Sequence, residues 1–130
     1  MGEILRRFEQ HGMKISALRF HQMTKEEAYD LYEEHIGKSF FENLVEFATS
    51  GPALFLILEA PRCVELVRHI IGNTDPLKAD LGTIRGDFAV SVTKNLIHAS
   101  DSPESYEREH RIFFKDSDIK DYHLDVQNDL

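Results

Sequence analysis

Residues 83–109 read TIRGDFAVSVTKNLIHASDSPESYERE, and the rest of the chain can be read outward from residues 95–102 at their centre. The approach is β-branched and apolar, as in a buried strand. It stops at His98 and gives way to small polar residues, with Ser102, Pro103, Glu104 and Ser105 in the pattern of a helix start. His98 is therefore predicted where a strand meets a helix, a place where packing holds a side chain rigid while its ring still faces a cleft. That placement suits a nucleophile or a general base. It suits equally a half-buried histidine that does no more than hydrogen-bond.

The chain around this stretch has 130 residues, 42% of them hydrophobic, enough for one domain with a single core. A formal charge of −8, scattered rather than blocked, argues against nonspecific attraction to nucleic acid or anionic membrane, so any phosphate must be met by local groups. The single cysteine, Cys63, rules out an internal disulfide, fits a reducing compartment and reads as a packing residue. The longest apolar run, residues 53–58, is far too short to cross a bilayer, and the first residues lack a signal-peptide pattern, which predicts a cytoplasmic protein. The opening Met-Gly misses the myristoylation signal because Arg6 stands where serine or threonine is needed.

Residues 2–10 form a predicted amphipathic helix through Ile4, Leu5 and Phe8, ended by His11 and Gly12. Residues 13–20 read as a half-exposed strand, and Thr24 as the cap of a helix over 25–35 with Glu26 and Glu27 in its first turn. Gly37-Lys38-Ser39 invites a phosphate-loop reading, but the glycine that motif needs five residues earlier is Tyr32. A helix over 40–49 carries adjacent phenylalanines that point about 100° apart, so Phe40 or Phe41 must line a surface or cleft. Residues 53–58 read as a fully buried central strand, and Pro61 as the opening of a helix to about Ile71 with Val64, Val67 and Ile71 inward. Residues 72–82 make a long loop of the kind that carries function, followed by Arg85. Residues 103–114 form a helix, and the residues through Asp118, Asp121 and Asp125 a loose acidic tail.

The stretches 83–88 (TIRGDF) and 95–102 (NLIHASDS) resemble the nucleoside diphosphate kinase family. The resemblance continues through Gly2-Glu3-Ile4, Arg7-Phe8-Glu9, Tyr32, Phe40-Phe41, Ser50-Gly51-Pro52, Gly72-Asn73-Thr74-Asp75-Pro76 and Phe113-Phe114. It implies a kinase-like domain over residues 1–122 followed by an acidic tail over 123–130. The implied fold is α/β (α+β): a ferredoxin-like βαββαβ arrangement with a four-stranded antiparallel sheet.

The resemblance further implies that His98 takes the γ-phosphate of ATP and passes it to a nucleoside diphosphate by a ping-pong route. Glu109, supported by Ser100, would orient the ring. Arg68, Thr74 and Arg85 would clamp the phosphates, with Tyr32 near them. The base would lie on Phe40 in a slot lined by Leu44 and Val92, and Asn95 would reach the ribose. Stacking on a ring reads no base edge, hence broad base specificity. Mg2+ would be bound through the nucleotide phosphates rather than by a protein metal site, and the chain would assemble into a homo-oligomer, a hexamer or tetramer.

The family's first central strand and its lysine have no counterpart in these residues. The expectation is that Met1 is an internal methionine preceded in the natural protein by about twenty residues, enough for a strand and a turn. Two functions compete on this reading. A phosphotransferase is favoured by the joint presence of His98, Glu109, Arg68, Thr74, Arg85 and Asn95; a nucleotide-binding or regulatory module without turnover is favoured by the missing lysine.

Overall fold

Residues 2–73, 75, 78–88 and 97–122 are described by the computed structural model. Two strands pair antiparallel: β1 (Lys14–Gln22) with β2 (Pro52–Glu59), from Lys14 opposite Glu59 to Gln22 opposite Pro52, with one bulge between Ile15 and Ala17. Alternate residues of a strand point to opposite faces, and each face of β2 meets a different apolar cluster. Phe55 and Ile57 join Ala17, Leu31, Phe41, Val45 and Phe113, with Phe55 stacked on Phe113 at 4.3 Å between ring centres. Leu56 and Leu58 join Phe8, Met13, Ile70, Ile71 and Ile84.

Among the described residues six α-helices supply these faces: α1 (Gly2–Gln10), α2 (Lys25–Leu31), α3 (Phe41–Ala48), α4 (Cys63–Ile71), α5 (Ile84–Phe88) and α6 (Pro103–Phe113). Residues of α2, α3 and α6 fill the first cluster and those of α1, α4 and α5 the second, so an antiparallel sheet lies between two helical layers. Burying a side chain such as Phe8 contributes about 1.5–3 kcal/mol. No helix among the described residues is long and apolar enough to cross a membrane.

Several local expectations hold. Thr24 caps α2 through a reciprocal box with Glu27, and the Ser102 hydroxyl accepts from the Ser105 amide at the start of α6. Phe41 is the buried phenylalanine and Phe40 the exposed one. Cys63 packs half-buried, its Sγ 3.3 Å from the Leu58 carbonyl oxygen, and burial pushes the thiol up.

Others need correction. The helix expected over 25–35 ends at Leu31 and continues as a 3-10 turn, Glu33–His35. Helix α4 starts at Cys63 instead of Pro61, because Arg62 before it adopts a left-handed conformation (φ 52°) that breaks helical continuity. Strand β2 is not fully buried: only Ile57 is, and Ala53 is exposed. Its apolar run reflects two half-covered faces, each served by one cluster.

The segment from Asp118 to Tyr122 is not a loose tail. The Lys120 amide donates to the Ser16 carbonyl, the Tyr122 hydroxyl to that of Ile15, and Asp121 pairs with Lys14 at 3.0 Å, which seats this segment along β1. Asp125 and the tail expected over 123–130 lie outside the described residues, as does most of the strand expected before His98; residues 97–100 carry no regular structure.

Candidate active site

His98 reaches its position from the short connection that Ser102 ends by capping α6, and the first two turns of that helix bring Glu109 back beside it. Nε2 of His98 lies 3.0 Å from Oε1 of Glu109, and the Ser100 hydroxyl donates to the same oxygen at 3.3 Å. The carboxylate is 11% exposed and the imidazole 49%, so one partner is fixed in the protein while the other faces outward. Nε2–H therefore donates to the carboxylate, which leaves the lone pair on Nδ1. Among the described residues no group bonds Nδ1.

The helix that carries Glu109 is itself tied down. Arg108 donates to the carbonyl oxygens of Asp30 (2.7 Å) and Leu31 (3.2 Å), two of the unpaired acceptors at the end of α2. That contact fixes the next residue, Tyr32, whose ring stands edge-on to His98 with centres 5.9 Å apart. Burial, with the nearby charge of Glu109 adding to it, pushes the Tyr32 phenol up, so it stays a neutral donor. From Tyr32 a line of rings leads away from the histidine: His35 at 6.5 Å, then Phe40 at 5.3 Å from His35. Phe40 is 43% exposed, with the Lys38 ammonium 5.8 Å from its ring centre, and Leu44 is half-buried one turn further on. An open aromatic face at this place can stack a flat ring.

Residues 83–87, TIRGD, lead into and form most of the short helix α5, and each of them has a contact. Thr83 Oγ1 donates to the Asp80 carbonyl at 2.6 Å and accepts from the Gly86 amide at 3.0 Å. Ile84 is wholly buried in the second cluster. A Cβ on Gly86 would fall 2.0 Å from the Asp80 carbonyl oxygen, so only glycine fits there. Asp87 accepts from the Gly82 amide at 3.0 Å.

Arg85 is turned inward. Its guanidinium donates to the carbonyl oxygens of Gly72 (3.1 Å) and Ile97 (2.9 Å), which ties the end of α4 to the residue before His98. Burial, and the charge of Arg68 close by, hold Arg85 below the ordinary arginine value without threatening its charge. Arg68 is exposed and lines an open crevice with His69, Gly72, Asn73, Lys78, Asp80 and Thr83. Asp101, held below the ordinary carboxylate range by the Ser105 hydroxyl, also feels the charge of Arg68. In this bay Arg68 and Lys78 supply positive charge and Asp80 a negative one.

The structure thus brings His98, Glu109, Ser100 and Tyr32 into direct contact, places Arg68 and Arg85 close to one another, and sets Phe40 and Leu44 at the far end of the ring line. Thr74, Val92 and Asn95 lie outside the described residues. Among the described residues no group of three or more His, Cys, Asp or Glu side chains is placed to hold a metal ion. Sequence reasoning passed over Arg7, Gly86 and Asp87 as site-building residues. The signal for the last two was available, since an Arg-Gly-Asp run after a long loop asks for a tight turn.

Comparison with known proteins agrees with this geometry. The nucleoside diphosphate kinase family model matches residues 1–119. The chain is 62% identical over 130 residues to a nucleoside diphosphate kinase of Thermosipho melanesiensis, covering 100% of this chain and 88% of that one. It is 56% identical over 119 residues to one of Hyperthermus butylicus, covering 92% and 84%. Among solved structures, a halophilic nucleoside diphosphate kinase of Halobacterium salinarum in complex with CDP superposes with a TM-score of 0.94 at 36% identity, covering 98% of this chain and 86% of that one. That of Aquifex aeolicus superposes with a TM-score of 0.87 at 42% identity, covering 92% and 86%. With this family match over nearly its whole length, an antiparallel sheet between helical layers and a histidine poised on a buried glutamate, the chain belongs to the nucleoside diphosphate kinase family of phosphotransferases.

Proposed function

We propose that the chain moves the γ-phosphate of ATP to nucleoside diphosphates through a phosphohistidine on His98. The observation that carries this reading is the contact of Glu109 with the Nε2 side of a half-exposed ring, which leaves the lone pair on Nδ1, a nitrogen that no described residue bonds. In the first half-reaction Nδ1 forms a bond to the γ-phosphorus while the bond from that phosphorus to the bridging oxygen breaks, and a nucleoside diphosphate leaves. In the second, a terminal oxygen of another diphosphate attacks the same phosphorus, the N–P bond breaks and the imidazole is restored. Nε2–H stays with Glu109 throughout, and the carboxylate stabilises the positive charge that grows on the ring.

Arg68, Arg85 and Thr74 hold the phosphates, and Tyr32 donates from the side. Arg68 is the exposed guanidinium of the bay, whereas Arg85 acts from the wall it braces. The base stacks on Phe40 beside Leu44 and Val92, Asn95 takes the ribose, and a face that reads no base edge accepts any base. Mg2+ would be held through the nucleotide phosphates rather than by protein ligands, and would supply charge neutralisation for phosphoryl transfer. Residues 1–122 act as the catalytic domain of a cytoplasmic homo-oligomer, a hexamer or tetramer; the exposed Leu18 and Phe20 on β1 fit such an association.

The test is to incubate the chain with γ-labelled ATP and chase with GDP. Label that is acid-labile, resides on His98 and leaves with GDP is expected. The His98→Asn chain should bind nucleotide yet take no label; turnover in that variant would exclude the mechanism.

A further inference from the structure

Arg7 lies on α1, far in sequence from the site, yet it grips the turn that carries Arg85. Its Nη2 pairs with Oδ2 of Asp87 at 2.8 Å and its Nη1 donates to the Gly82 carbonyl at 3.3 Å, while its Nε meets Glu3 at 3.1 Å. Asp87 in turn accepts from the Gly82 amide at 3.0 Å. Gly82, at φ 95°, is therefore clasped on both of its polar backbone groups, and the Arg7 side chain is only 18% exposed. Directly beneath the clasp, Phe8 from α1 and Ile84 from the turn are both buried in the second cluster. The next residue, Arg85, donates to Ile97 O and so holds the backbone that presents His98.

We propose that the ion pair of Arg7 with Asp87 is a positioning latch for phosphoryl transfer. It fixes the 82–88 turn on α1, so that Arg85 bridges Gly72 and Ile97 and the His98 ring keeps its alignment on Glu109. Neither Arg7 nor Asp87 touches the reacting atoms. The inference rests on His98 being the phosphorylated residue. Losing the latch lets the turn slide on α1, which changes the orientation of the nucleophile more than the capture of the nucleotide.

The experiment compares the wild-type chain with Arg7→Met, Arg7→Lys and Asp87→Asn, by single-turnover labelling from γ-labelled ATP and by backbone amide exchange. Arg7→Met and Asp87→Asn should slow labelling of His98 by about 10- to 100-fold with apparent nucleotide affinity changed less than about 3-fold, the cost expected of an orientation defect. Amide exchange at Gly82, Arg85 and His98 should accelerate together, and Arg7→Lys, which keeps the charge, should recover most of the rate. Labelling at the wild-type rate in Arg7→Met, or faster exchange spread over the whole chain, would overturn the latch. A wild-type chain that takes no label defeats the reading of His98, and the exchange pattern then decides on the latch by itself.

Discussion

His98 with Glu109 and His21 with Glu27 are the same two side chains in different settings. Both pairs join Nε2 to a carboxylate Oε1, at 3.0 Å and 2.7 Å, and in both that oxygen takes a second donor: the Ser100 hydroxyl in one, the Thr24 amide in the other. The far side of the ring separates them. His98 is 49% exposed and no described residue bonds its Nδ1, whereas His21 is 21% exposed, sits against Phe55, and has Nδ1 3.3 Å from the Arg19 guanidinium. On the proposed mechanism, a carboxylate that fixes a tautomer is not enough to make a nucleophile. The opposite nitrogen must also be open, and charge able to hold the incoming phosphate must lie nearby. The pair at His21 instead closes the junction of β1 with α2, where Glu27 completes the cap on Thr24.

Substitution of the two histidines should break this symmetry most. His98→Asn should lower transfer by at least about 10^4-fold, as removing a nucleophile does, while His21→Asn should change it less than about 2-fold; steady-state transfer from ATP to GDP measures both. The next effect is on the support beneath the pair proposed to be catalytic. Gly86→Ala should destabilise the fold by about 3 kcal/mol or more, because the added methyl meets a backbone carbonyl that cannot move aside, and denaturant unfolding would record it.

The glutamates sharpen the comparison. Glu109→Gln should slow labelling of His98 by about 10- to 100-fold, the usual cost of losing a residue that orients a functional imidazole. Glu27→Gln should leave labelling unchanged and cost about 1 kcal/mol through the weakened cap. The smallest effect is in acid. Partial burial alone raises the Glu27 carboxyl, but the Thr24 amide and His21 outweigh it and hold the group below 4.5. A depressed carboxyl stabilises the fold above its unfolded value, and the contribution fades as pH falls below 4.5 through the folded value. The melting temperature of the Glu27→Gln chain should therefore approach that of wild type as pH drops through this window.

What the sequence disclosed and what it hid follow from how local each interaction is. The caps at Thr24 and Ser102 were legible because a side chain and an amide three residues apart decide them. His98 and Glu109 were legible as a motif through family resemblance; their spacing along the chain would not by itself predict a hydrogen bond. That one of Phe40 and Phe41 must be exposed followed from helical geometry, but which one depends on where α3 lies against α2 and β2. The left-handed Arg62 was hidden because the residue type gives no reason for it. The inward turn of Arg85 was hidden because its acceptors, Gly72 O and Ile97 O, come from two other segments. The docking of residues 120–122 on β1 was masked by the longer stretch through Asp118, Asp121 and Asp125, whose carboxylates suggested solvation where Lys14 supplies a partner.

The most direct measurement is to identify which ring nitrogen carries the phosphoryl group after a single turnover with ATP, by 1H–31P correlation NMR of the phosphorylated chain under alkaline conditions. Glu109 occupies Nε2, so phosphate is expected on Nδ1 of His98 and none on His21. Phosphate on Nε2 of His98, or on His21, would contradict it.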